Sequence, residues 1–315
     1  MRRMLAHRIG PLEALGLRPL VPGLRDCLRA VTGDAHTPPT RWDLSSLAIF
    51  RPALGPATWA GWRRADRRVP VMNYVNRVPA DPAEGYDVRV TFARDWRGGR
   101  TTYNSHNGTD LVVPVGTEVV APAPGRVVRV QNLMNRGGLK VVLDHGEGLS
   151  TIAGHLSRAF VQPGQVVRRG ARLGLSGFSS VDGILTFPWV PPHVHFTVVL
   201  DGAPSDPFAA DGETSLWRRR NDPAPATPGP EEPPPADAFD ADAVARSAAA
   251  CRDPRVAADL AAQRSLDAHA HAVIFWRIHH PTAFDVSPPL YVDTHPRAPR
   301  LDLPFGPDEV RGLAP

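Results

Sequence analysis

The sequence predicts a mainly β fold: a compact antiparallel sheet or open barrel, with an irregular N-terminal region and a partly helical C-terminal extension. Three observations predict it. The 35 prolines and 27 glycines in 315 residues are too many for a helix bundle and point to turns, strands and extended segments. Between residues about 86 and 210, short β-branched runs alternate with glycine turns. A sustained helical pattern is confined to "DADAVARSAAACRDPRVAADLAAQRSLDAHAHAVIFWRIHH", where Pro254 must break or restart the helix.

The strand-rich block justifies itself piece by piece. "TEVVAPAPGRVVRVQNL" gives a strand, a Pro-Gly turn and a second strand. "LKVVLDHGEGLSTIAGHLS" reads as a hairpin turning at "HGEG", with β-branched residues on either side. "VQPGQVVRRGARLGLSG" holds two glycine-marked turns between short apolar pieces, and "HVHFTVVLDGAPSDPF" is a strand closed by "DG". Four regions follow: residues 1–85 without an assigned role, 86–215 as the β unit, 216–238 as a proline-rich linker or arm, and 239–315 as the partly helical extension. The last stretch, "YVDTHPRAPRLDLPFGPDEVRGLAP", looks irregular.

Composition limits the function classes. A net charge of +4 over this length does not by itself imply nucleic acid, and none is expected as a partner. The basic residues are arginines apart from Lys140, and runs such as "WRRADRR" and "WRRR" read as solvated arginines beside a tryptophan anchor. Cys27 and Cys251 have no metal-type spacing and read as two unrelated thiols. Prolines and charges interrupt the apolar part of the basic N-terminus, so no signal peptide is read there. No run approaches the roughly 20 apolar residues that a transmembrane helix needs.

The chemistry lies in the histidines. Two residues apart in a helix point about 200° around the axis, so His269 and His271 cannot share a ligand and read as surface or packing residues. His279 and His280 fall at a helix end, where cations are favoured. Residues two apart in a strand share a face, roughly 6.5 to 7 Å apart. The prolines of "PPHVHF" forbid a preceding helix, so His193 and His195 face the same side. In "SHNGTDL", Asn107-Gly108 predicts a tight bend that brings His106 and Asp110 together. An imidazole and a carboxylate, joined by one histidine of the His-x-His pair, give three ligands for a zinc ion with its fourth position open, as in catalytic sites. His155 ends a β-branched strand and, taken alone, reads as a half-buried, hydrogen-bonded histidine.

"HNGTDL", "APAPGRVVRV", "VVLDHGEGLSTIAGHLS", "VQPGQVVRRGARLGLSG" and "HVHF" occur in the order and approximate spacing of the lysostaphin/LytM-type zinc metallopeptidases, which residues about 100–208 resemble. The resemblance implies a lysostaphin-like fold with a duplicated hybrid motif, and a zinc-dependent endopeptidase acting on peptide cross-links of bacterial peptidoglycan. It implies His106, Asp110 and His195 as zinc ligands, with His155 and His193 as catalytic histidines flanking the water and the substrate carbonyl. It further implies a place in the cell envelope, periplasm or extracellular space. The sequence departs from the family pattern in three places: the long "FSSVDGILTFPWVPP" before His193, Thr197 where a glutamate is common, and Ala153-Gly154 where an aromatic often precedes the histidine. The alternative is a non-catalytic module of the same fold that binds peptidoglycan or regulates an amidase. A third reading is a β-barrel carrier or phosphotransfer domain, which needs no Asp110 beside His106.

Overall fold

The computed structural model describes residues 9–78, 80–232 and 236–314. The basic start of the chain, residues 1–8, and part of the proline-rich arm, residues 233–235, lie outside the described residues. Eleven strands are present among those described: β1 (Arg68–Val69), β2 (Thr109–Val112), β3 (Glu118–Val120), β4 (Gly125–Leu133), β5 (Gly138–Asp144), β6 (Leu149–Ala159), β7 (Val166–Val167), β8 (Arg172–Ser176), β9 (His193–Leu200), β10 (Ala203–Ser205) and β11 (Gly312–Leu313). The helices are α1 (Pro11–Ala14), α2 (Leu20–Thr32), α3 (Gly55–Trp59), α4 (Val181–Leu185), α5 (Ala241–Ala249), α6 (Pro254–Ala261) and α7 (Leu266–His279).

Strands β2 to β10 form one open antiparallel sheet with the path β10-β9-β6-β5-β4-β7; β2 lies on β9, and β8 joins β3 to β6. The "HGEG" hairpin forms as the sequence predicts, pairing β5 with β6 from Asp144↔Ser150 onward. Glu147 between its glycines takes a left-handed φ of 51°. Strand β9 alternates strictly. Val194, Phe196 and Val198 enter the main core with Leu111, Leu156 and Leu173, which leaves the odd-numbered residues, His193 and His195 among them, on the opposite face. Further along that face Val199 meets a second core built with Val142, Ile152 and the C-terminal helices.

Pro254 sits at the first position of α6, after the Asp253 cap, as its role as a helix restart requires. The helical stretch breaks once more, at Ser265, whose side chain accepts from Ala268 N–H and starts α7. The irregular-looking tail is packed. Leu301, Leu303 and Phe305 are fully buried in the main core beside Trp217, and β11 pairs parallel with β1. The "WRRADRR" arginines hold this tail: Arg63 pairs with Glu309, Arg67 donates to Asp308 O, and Arg68 donates to Leu313 O. Both cysteines are free. No helix among the described residues is long and apolar enough to cross a membrane.

Candidate metal centre

The register of three neighbouring strands assembles the site. Asp110 on β2 lies directly opposite His195 on β9, and Gly154 on β6 lies opposite His195 on the other side. His106 arrives from the coil before β2, so the predicted bend places it beside Asp110, but not through a left-handed turn: Gly108 has no positive φ. Glycine is required there for space. A Cβ at 108 would lie 2.7 Å from His195 Nε2 and 2.9 Å from Thr197 Oγ1.

His155 follows Gly154 with φ of 58°, a left-handed conformation that a β-carbon resists. Its N–H donates to Gly137 O at 2.9 Å, and the pairing of β6 with β5 shifts register across it. The bulge turns the imidazole towards its counterparts on β9. The rings of His155 and His193 lie 4.7 Å apart, and those of His106 and His195 4.9 Å apart. All five residues expected from the sequence therefore meet in one place.

The partners behind each ring decide which nitrogen faces inward. His106 Nδ1–H donates to Tyr74 O (2.6 Å) and His195 Nε2–H donates to Asn107 Oδ1 (3.0 Å). Their other nitrogens face one carboxylate: His106 Nε2 is 3.0 Å from Asp110 Oδ2, and His195 Nδ1 is 2.8 Å from Asp110 Oδ1. His106 Nε2 is buried without a hydrogen-bond partner despite that short approach. Two inward lone pairs facing an ionised carboxylate repel unless a second proton or a metal ion joins them. Burial pushes the His195 imidazole down and so opposes the extra proton. Burial also pushes the Asp110 carboxyl up, but the imidazoles of His106 and His193 beside it and the hydrogen bonds around it outweigh that and hold it well below the usual carboxylate range. The three donor atoms lie within 4.8 Å of one another. Two imidazoles and a carboxylate, with ring N–H groups held on oxygens behind them, fit zinc by donor type.

His193 Nδ1–H donates to Pro191 O (2.8 Å) and His155 Nδ1–H donates to Ser179 O (3.2 Å). Both carbonyls belong to "FSSVDGILTFPWVPP", so the long loop fixes the tautomer of both histidines and turns each Nε2 inward. Its Phe178 packs edge-on against both rings. Burial, then the neighbouring His193 and His195 imidazoles, push the His155 imidazole well below its ordinary value.

Residues missed by sequence reasoning come from the N-terminal region. Segment 71–76 lies along β2: Met72 N–H donates to Asp110 O, Asp110 N–H to Asn73 O, and Asn76 N–H to His106 O, at 2.9, 2.9 and 2.8 Å. Asn73 Nδ2 donates to Asp110 Oδ2 at 2.7 Å. "VMNYVN" carries no motif that announces this; its only signal is a strand-like composition.

The centre opens into a cavity of about 830 Å³. His106, His155 and His195 lie on its floor, and among the described residues its walls include Val75, Val78, Asp81 and Tyr86 on the N-terminal side and Arg277 and Leu290 on the C-terminal side. His279 and His280 are not cationic helix-end residues: burial is the main cause that pushes both imidazoles down, His280 to about 3. A second trio of donors, Asp144, Asp267 and His271, already holds a cation. Arg126 Nη2 donates to Asp267 at 2.7 Å and to Asp144 at 3.3 Å.

Residues 104–207 match the family model for peptidase family M23. The peptidoglycan DD-endopeptidase ShyA of Vibrio cholerae is 38% identical over 107 residues, which are 34% of this chain and 23% of ShyA. An uncharacterized metalloprotease of Haemophilus influenzae is 33% identical over 121 residues, 36% of this chain and 24% of that protein. The chain thus spans about a quarter of the length of these curated relatives. The crystallised catalytic domain of the antimicrobial peptidase lysostaphin from Staphylococcus simulans shares 28% identity, over 32% of this chain and 75% of that one. Its TM-score is 0.29. Residues 104–207 are a peptidase family M23 domain.

Proposed function

We propose that this chain is a zinc-dependent endopeptidase hydrolysing peptide cross-links of bacterial peptidoglycan, with His106, Asp110 and His195 as the metal ligands. The observation that supports it most is the convergence of two inward imidazole lone pairs on the Asp110 carboxylate, beside two further inward-facing imidazoles. The kind of substrate follows the name of ShyA, a peptidoglycan DD-endopeptidase; with such a substrate the protein would act in the cell envelope, periplasm or extracellular space.

His106, Asp110 and His195 would hold a zinc ion, which would supply Lewis acidity for a water molecule and the scissile carbonyl. The protein's own groups handle the protons. His155 is held neutral by burial and its neighbours, so its inward Nε2 can accept a proton from water and pass it to the leaving amine. His193 Nε2, fixed by the Pro191 contact and 3.6 Å from Asp110 Oδ1, is the second proton-handling group at the reacting carbonyl. The non-catalytic alternative, a peptidoglycan-binding or amidase-regulating module, leaves this pair of inward histidines without work.

Mass spectrometry of digested sacculi tests the reading. The intact chain should release cross-link peptides. His155→Ala and His193→Ala should each turn over about 10²–10⁴-fold more slowly while keeping their metal. Sacculi left whole by the zinc-loaded intact chain would favour the binding-module reading.

A further inference from the structure

We propose that Arg136, on the wall of the catalytic cavity, is the anchor for a carboxylate of the peptide substrate. The inference rests on the endopeptidase reading and adds to it a requirement for a free carboxylate near the bond cleaved.

Arg136 lies in the turn between β4 and β5. Its Nη1 donates to Asn135 O at 2.8 Å, its Nε donates to His279 O at 3.3 Å, and its guanidinium lies 4.9 Å over the Tyr86 ring. Every one of these partners is neutral. Among the described residues no carboxylate comes within the 4.0 Å of an ion pair with Arg136, although Asp81 and Asp182 line the same cavity. Asp182 attracts this half-buried guanidinium only from beyond ion-pair distance, so no carboxylate occupies its planar fork, which suits two parallel bonds to one.

The turn is built to hold this group still. Lys140, almost fully buried, donates from Nζ to the carbonyls of Arg136 and Gly138. Gly138 takes a φ of 63°, and a Cβ there would overlap Ser179 O. The intervening Gly137 carbonyl accepts the His155 N–H, so the arginine is one residue away from the backbone that aims a catalytic histidine. A cavity of about 830 Å³ admits a short peptide whose carboxylate reaches Arg136 while its scissile bond lies over the floor histidines. The carboxylate is either a main-chain terminus or an acidic side chain.

Steady-state kinetics on purified cross-linked muropeptides test this with the full zinc-loaded chain. Three substrate forms are compared: unmodified, amidated at the main-chain carboxyl, and amidated at the side-chain carboxyl. Amidation at one of the two positions should raise KM for the wild-type chain by about 10–100-fold with little change in kcat, and that position identifies the source. Arg136→Gln should show the same rise with unmodified substrate and become indifferent to amidation, and Arg136→Lys should fall between. Wild-type KM unmoved by either amidation overturns the inference, with no reliance on a variant that folds. A wild-type chain that cleaves none of the three forms overturns the endopeptidase reading itself, and the anchor falls with it.

Discussion

Asn73 holds one oxygen of the Asp110 carboxylate from an irregular segment outside the M23 domain, and Tyr74 O holds the ring of His106. Such outer contacts fix the orientation of a ligand and are worth about 10–100-fold in metal affinity. Asn73→Ala should weaken zinc binding by that factor in a chelator competition; unchanged affinity would show that β2 alone orients Asp110. At this scale His106, Asp110, His193 and His195 were legible as neighbours because each sits in a short motif whose spacing has a geometric consequence, whereas His155 taken alone read as a packing residue and entered only through the family resemblance. The residues behind them were not. Asn73 and the carbonyls of Ser179 and Pro191 reach the site through tertiary folding, and a backbone carbonyl leaves no mark in a sequence. Gly108 was legible as a glycine with a purpose, but the purpose is clearance for His195, not a positive φ.

Among the elements, β9 shows why a two-residue period is informative: its even residues fill the core, so His193 and His195 had to share the other face. The helix α7 illustrates the opposite limit. The sequence sets His269 and His271 apart from any shared ligand, but cannot show that His271 Nε2 lies 3.6 Å from both Asp144 on β5 and Asp267. Burial opposes the charge on His271, yet the two carboxylates win and raise it to about 9 from 6.5. A folded-state value above the unfolded one stabilises fully below about pH 6.5. That contribution is lost as pH rises through about 9. Denaturant unfolding should therefore show a loss on the order of 3 kcal/mol across this window, and His271→Gln should remove that part of the slope. A variant with the wild-type pH profile would show that the contact between α7 and the sheet is uncharged.

Seen whole, the molecule uses the regions around the M23 domain to finish both its core and its cleft. Leu301, Leu303 and Phe305 close the main core from the far end of the chain, and the two flanking regions wall the cavity. The alternation in "LDLPF" hints at a strand-like packing, but its partners, Trp217 and Pro225, meet it only through isolated bridges. Long-range pairings of one residue each have no periodicity to read. All of these regions surround one claim, that His106, Asp110 and His195 hold a single zinc ion. The most direct test is a zinc titration of the purified full chain, with circular dichroism to confirm the fold of each variant. One zinc per wild-type chain, retained by His155→Ala and His193→Ala but lost by Asp110→Ala and His195→Ala, is the result predicted. Stoichiometric zinc in a folded Asp110→Ala chain, or none in the wild type, would contradict the account.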